Sequence, residues 1–179
     1  SNYFSGIISS NNNNNKLALK YFNNLNHLKD NHDQFNRKLV FTLVQTQKIP
    51  ELFSYLKKLK KENLNFFNAN LLLGISYLLE KNYTKSLSYF NSIIQTRKFS
   101  NFEKLIAQSL LSYVKVFENR SHDYETELSI ISKNYKNFAL INNAFISCYL
   151  DNENVDKNFL KIINPDTLNF TRYNFFYIN

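Results

Sequence analysis

The feature that most constrains this chain is an internal period. Its only two glycines, Gly6 and Gly74, stand 68 positions apart, and the same shift lays Ile7 on Ile75, Asn14 on Asn82, Leu19 on Leu87, Tyr21 on Tyr89, Phe22 on Phe90 and Asn23 on Asn91. Seven identities within a window of about 25 exceed the roughly two or three that a composition this biased yields by accident. Half that shift lands on Val40, Phe41, Leu52, Tyr55, Leu56 and Leu59, so the apolar skeleton persists where the glycine does not. The period is therefore 34. A repeat of that length cannot bury its own apolar face and has to stack on its neighbours.

Within one period the pattern is two amphipathic helices. From Asn68 to Ile94, Leu72, Leu73, Ser76 and Tyr77 recur at three- and four-residue spacing, with Gly74 as the small residue that admits a neighbouring helix. After the break Glu80-Lys81-Asn82, a second face carries Tyr83, Leu87, Phe90 and Ile94. Extending the rhythm along the chain predicts five helix pairs, over residues 3–28, 33–61, 67–98, 101–133 and 135–163, and a final helix over 167–178. Pro50 fits a first helical turn. Ser100 with Glu103 has the spacing of a capping box, and Asn164-Pro165 stops the fifth pair. With two glycines and two prolines in 179 residues, hairpin-rich β architectures lack their turns. The expected fold is all-α, a right-handed α-solenoid forming one domain over 1–179.

A 34-residue helix-turn-helix period on this skeleton resembles the tetratricopeptide repeat family. The matching residues are Leu73-Gly74 and Tyr77 in a first helix, then Tyr83, Ser86 and Phe90 in a second, with Ser86 where the family usually has alanine; an earlier copy matches as Gly6, Ala18 and Phe22. No proline closes either unit, and the second and fourth copies lack the glycine. The resemblance is strong over Tyr3 to Phe99 and fades to a helical rhythm beyond. The opening Asn2-Tyr3-Phe4-Ser5-Gly6 also resembles the start of larger multi-repeat proteins of alphaproteobacteria. Such a family implies a non-catalytic protein-interaction scaffold whose leading helices line a concave groove. Carried over, the groove residues are Arg37, Phe41 and Val44, then Leu71, Ile75 and Leu78, then Leu105, Ser109, Ser112 and Tyr113. An apolar groove suits a partner peptide or amphipathic helix. The basic residues with which some members clamp a carboxylate are not at the matching places, Arg37 aside.

Other chemistries find little material. His27 and His32 are five apart across a polar turn, His122 lies far along the chain, and no cysteine accompanies them, so no metal site is expected. Two isolated glycines cannot form a phosphate loop, and Glu125 and Glu127 read as exposed carboxylates. The expectation is no enzyme activity and no cofactor. Cys148, beside Ile146, Tyr149 and Leu150, reads as a buried small hydrophobe. Hydrophobic residues at 44% and charged residues at 20% describe a soluble globular chain. Its formal net charge of +8 admits an alternative, a basic scaffold for nucleic acid or an anionic surface. The densest run, Lys57, Lys58, Lys60 and Lys61, lies outward on a helix whose inward face is Leu52, Phe53, Leu56 and Leu59, where lysines usually serve solubility, so nucleic acid is not the expected partner. A further alternative is a structural module packing on more repeats or on a second copy, through the aromatic segment with Phe170, Tyr173, Phe175, Phe176 and Tyr177. That segment either caps the array or is the edge of a longer one. Asn, at thirty residues, is the excess type and reads as compositional drift. No stretch approaches the roughly eighteen apolar residues of a membrane span. Ser1-Asn2 looks like a cloning remnant ahead of a natural start that is not visible, which leaves open bacterial cytoplasm or periplasm.

Overall fold

The computed structural model describes residues 1–119 and 124–163. Among the described residues it is all-helical, with ten α-helices and no strand: α1 (Asn2–Asn11), α2 (Asn15–Asn23), α3 (Asp33–Gln45), α4 (Ile49–Lys58), α5 (Phe67–Leu79), α6 (Tyr83–Gln95), α7 (Asn101–Asn119), α8 (Tyr124–Asn134), α9 (Lys136–Tyr149) and α10 (Val155–Ile163). The helices pack consecutively, and the chain divides into two compact units, Ser1–Tyr89 and the part from Phe90 onward.

In the first unit each helix packs on the next, and α1, α3 and α5 also touch in succession, so the leading helices lie side by side with α2 and α4 against them. The core repeats at the sequence period. Ala18, Leu52 and Ser86 are fully buried, as are Phe22, Leu56 and Phe90, and Phe35 is matched by the equally buried Ala69. Gly6 is demanded by this packing: a Cβ there would sit 2.5 Å from Cε1 of Phe22, so only glycine lets α2 approach α1 this closely. In the third copy the Ser86 hydroxyl donates to the Gly74 carbonyl at 2.8 Å, a bond an alanine cannot make.

The turns repeat too. Asn13, Gln47 and Lys81 follow α1, α3 and α5 at φ of 58°, 57° and 58°, again 34 residues apart, and Asp151 follows α9 at 54°. Each turn closes with the same pair of backbone bonds. At the first, Asn13 N–H donates to Ser10 C=O and Asn14 N–H to Ser9 C=O; at the third, Lys81 donates to Leu78 and Asn82 to Tyr77. This is the Schellman arrangement, in which a left-handed residue satisfies the last carbonyls of a helix. The following asparagine then starts the next helix: the Asn14 and Asn82 side chains accept from Leu17 N–H and Lys85 N–H. Asparagine is thus more than drift at these places.

One face of α1 differs from its counterparts. Thr42 and Ser76 are buried at a position where α1 carries Ile8, which is 61% exposed.

In the second unit α7 packs on α8, α8 on α9 and α9 on α10, with α7 also touching α9. Leu105, Val116, Tyr124, Leu128, Ile131, Ala139 and Ile146 form one core cluster, and Ala144, Phe159 and Ile162 another. The capping box is present: Ser100 N–H donates to Glu103 Oε2 at 2.7 Å, and Glu103 N–H to Ser100 Oγ at 3.2 Å.

Several expectations are corrected. α4 ends at Lys58 and yields to a 3-10 turn over Lys61–Leu64, so the helix is shorter than its run of lysines. Cys148 is exposed, because α9 turns Ala139, Asn142, Ile146 and Ser147 inward and leaves the side that carries Cys148 outward. The expected helix over 167–178 and its aromatic residues lie outside the described residues.

Candidate binding surfaces

Two leading helices, α3 and α5, place the first six groove candidates on one side of the first unit. Arg37, Phe41 and Val44 recur one period on as Leu71, Ile75 and Leu78, and one period earlier as Tyr3, Ile7 and Ser10. α3 and α5 touch, which brings the two triplets to adjacent helices. Phe41 is 48% and Val44 38% exposed, large values for residues of this size, while Leu71, Ile75 and Leu78 are half-buried. Arg37 is less available than its exposure suggests. Its guanidinium lies 4.8 Å over the Phe66 ring and donates to the Asn65 carbonyl at 3.4 Å, which holds it along its own unit.

The four candidates on α7 fare differently. Leu105, Ser109 and Ser112 are buried. The Ser109 hydroxyl donates to Asn142 Oδ1 on α9 at 2.6 Å, and Ser112 donates to the Ser109 carbonyl. Tyr113 is half-buried, its ring 6.2 Å from that of Phe117. The leading helix of this copy therefore spends its polar face on α9.

The sequence reading also misplaced a carboxylate. Glu127 is 8% exposed, accepts from Gln108 Nε2 and pairs with the Lys115 ammonium, while Glu125 is exposed. Tyr124, Leu128 and Ile131, at three- and four-residue spacing around it, were the available signal that this face turns inward. His32 does more than stand in a polar turn. Its Nδ1 accepts from Phe35 N–H at 3.1 Å and caps α3, and its ring lies 4.8 Å from that of Tyr3. His27 is exposed, and His122 lies outside the described residues. Among the described residues no group of three or more His, Cys, Asp or Glu is placed to hold a metal ion, and no helix is long and apolar enough to cross a membrane.

A cleft that the periodicity does not announce opens in the second unit, between the start of α7 and the end of α8. It has a volume of about 460 Å³. Buried Leu105 and Ile131 and half-buried Ile94 supply its apolar wall; Lys104 and Tyr135 bring an ammonium and a phenol to it. A polar hollow of about 450 Å³ lies between the turns after α1 and α3, lined by Asn13, Asn15, Lys16, Gln45 and Gln47. Comparison with known proteins finds no matching family model, no matching curated protein and no matching solved structure.

Proposed function

We propose that the chain is a non-catalytic, tetratricopeptide-like scaffold, wound as a right-handed superhelix, that takes a partner's amphipathic helix or apolar peptide on the leading-helix face of its first unit. One observation carries the reading: Ile7, Phe41 and Ile75 repeat an apolar side chain at the same register on three successive leading helices, with Phe41 and Val44 substantially exposed. Scattered exposed hydrophobes need no explanation, but a stripe in register across helices that pack side by side is a continuous surface. Anchors three and four residues apart on a partner helix would enter between those side chains.

The Schellman turns at Asn13, Gln47 and Lys81, which reproduce one geometry every 34 residues, and the small residues Gly6 and Gly74, two periods apart, support the family reading. Charge favours a secondary reading. Residues 1–89 hold twelve of the 22 basic and five of the 14 acidic residues, an excess of seven positive charges, whereas the remainder holds ten and nine. An anionic surface or nucleic acid would find its footing on the first unit.

A displayed library of helical peptides tests the main reading. The wild type is expected to enrich peptides with apolar residues at three- and four-residue spacing. The Phe41→Glu, Ile75→Glu double variant, checked for unchanged helicity, should bind them at least about tenfold more weakly, the scale of losing a central apolar anchor. Equal enrichment by wild type and variant would remove the proposal. Binding that instead collapses between about 50 mM and 500 mM salt would favour the anionic partner.

A further inference from the structure

The cleft between α7 and α8 has chemistry the leading-helix face lacks, and it belongs to the second unit. One wall is aliphatic, through Ile94, Leu105, Ile130 and Ile131, while Asn101, Gln108 and Asn134 make the rest of the lining polar, and its volume of about 460 Å³ lies toward the lower end of small-molecule sites. Lys104 stands half-buried beside it. The neighbouring carboxylate, Glu103, is turned back to Ser100 in the capping box, and the ion pairs found among the described residues are Lys48–Glu51, Lys57–Glu80 and Lys115–Glu127. Lys104 thus brings a charge to the cleft that no described carboxylate answers. An ammonium beside apolar walls favours an anion that carries its own apolar body.

The charge of that anion is bounded from two sides. Lys104 is the single basic side chain of the lining, and the first-turn amides of α7, which would otherwise favour a dianion such as a phosphate ester, already share their end of the helix with the Glu103 carboxylate. A singly charged group fits; a doubly charged one meets Glu103.

We propose that this cleft binds a medium-chain aliphatic monocarboxylate, its chain against Ile94, Leu105 and Ile131 and its carboxylate on the Lys104 ammonium. The site is independent of the peptide-binding face, so either stands if the other fails. Isothermal titration of the whole chain with octanoate, octanol and octylammonium tests it, with an acetylated peptide ending in leucine as the competing source of an apolar carboxylate. Octanoate is expected to bind saturably at one site and about tenfold or more tighter than octanol, the scale of one charge-assisted hydrogen bond. Lys104→Gln should erase that preference, and Ile130→Glu, at an exposed lining position, should weaken both ligands while circular dichroism stays unchanged. Phe41→Glu should change neither. The assignment is overturned if octanol binds as well as octanoate, if Lys104→Gln leaves the preference intact, if octanoate shows no saturable binding, or if the peptide alone binds.

Discussion

At the residue scale the most consequential side chains are those forced into left-handed backbone. A non-glycine residue at φ near +57° costs about 1–2 kcal/mol, less for asparagine, whose side chain bonds locally. Gln47 and Lys81 hold that conformation without glycine's freedom, whereas Asn13 and Asp151 have the short polar side chains that tolerate it. Replacing both Gln47 and Lys81 by glycine is therefore expected to raise stability by about 1–2 kcal/mol in urea denaturation, while Asn13→Gly gains less; unchanged or lower midpoints for the double variant would contradict the turn geometry. The usual mark of a helix end, glycine just past it, is absent, because this chain spends its two glycines inside helices. The turns were legible only through the period and the polar breaks, and their conformation was not legible at all. Ser76 shows the opposite limit: its hydroxyl is buried without a hydrogen-bond partner, and nothing in its neighbourhood explains it.

At the element scale, helix pairs are held by apolar packing but set in register by buried polar contacts. The Tyr55 hydroxyl of α4 donates to Asn36 Oδ1 of α3 at 2.5 Å, and Asn36 Nδ2 donates to the Lys29 carbonyl at 2.9 Å. Burial, aided by the charge of Asp30, pushes the Tyr55 phenol well above its ordinary value near 10. A raised acid pKa in the folded state means that the unfolded chain releases the proton first. The contribution of Tyr55 is thus whole below pH 10 and falls as pH rises above it. Tyr55→Phe should cost about 1–3 kcal/mol at neutral pH by orphaning the Asn36 oxygen. It should also flatten the loss of stability between about pH 10 and 11, read by thermal unfolding across that range; an unaltered alkaline slope would show that another group is responsible. Tyr21, Tyr55 and Tyr89 share a register, so the sequence marked the position, but Tyr89 instead stacks on Tyr77 at 5.6 Å and 9°. Identity at a repeat position predicts the face, and the neighbours decide the contact. α9 was illegible for a related reason: with Phe138, Ala139, Leu140, Ile141, Ala144, Phe145 and Ile146 it is apolar on nearly every side, so periodicity could not say that Cys148 faces out.

At the scale of the whole molecule, charge is divided as sharply as the fold. Seven excess positive charges in the first unit repel one another, whereas the second unit is nearly balanced, and salt screens such repulsion over a Debye length that shrinks from about 20 Å at 20 mM to about 4 Å at 500 mM. Amide hydrogen exchange in α2 to α5 should therefore slow when sodium chloride is raised from about 20 mM to 500 mM, with little change in α8 to α10; equal responses would show that the imbalance is absorbed locally by contacts such as that of Lys57 with Glu80 and the Tyr77 ring. Sequence alone determined the helical class, the 34-residue period and the inward positions Leu52, Leu56 and Phe90, because these follow from spacing along one chain and from the need of each short helix to bury a stripe; Ala18, Phe22 and Ser86 entered through the family resemblance. Which candidates stay accessible was decided only by tertiary structure. Phe41 and Val44 are exposed while Ser109 and Leu105 are covered, Glu127 is drawn inside, and the cleft at Lys104 opens between helix ends, since accessibility depends on how far each neighbouring helix reaches, and that distance is not written in any one helix.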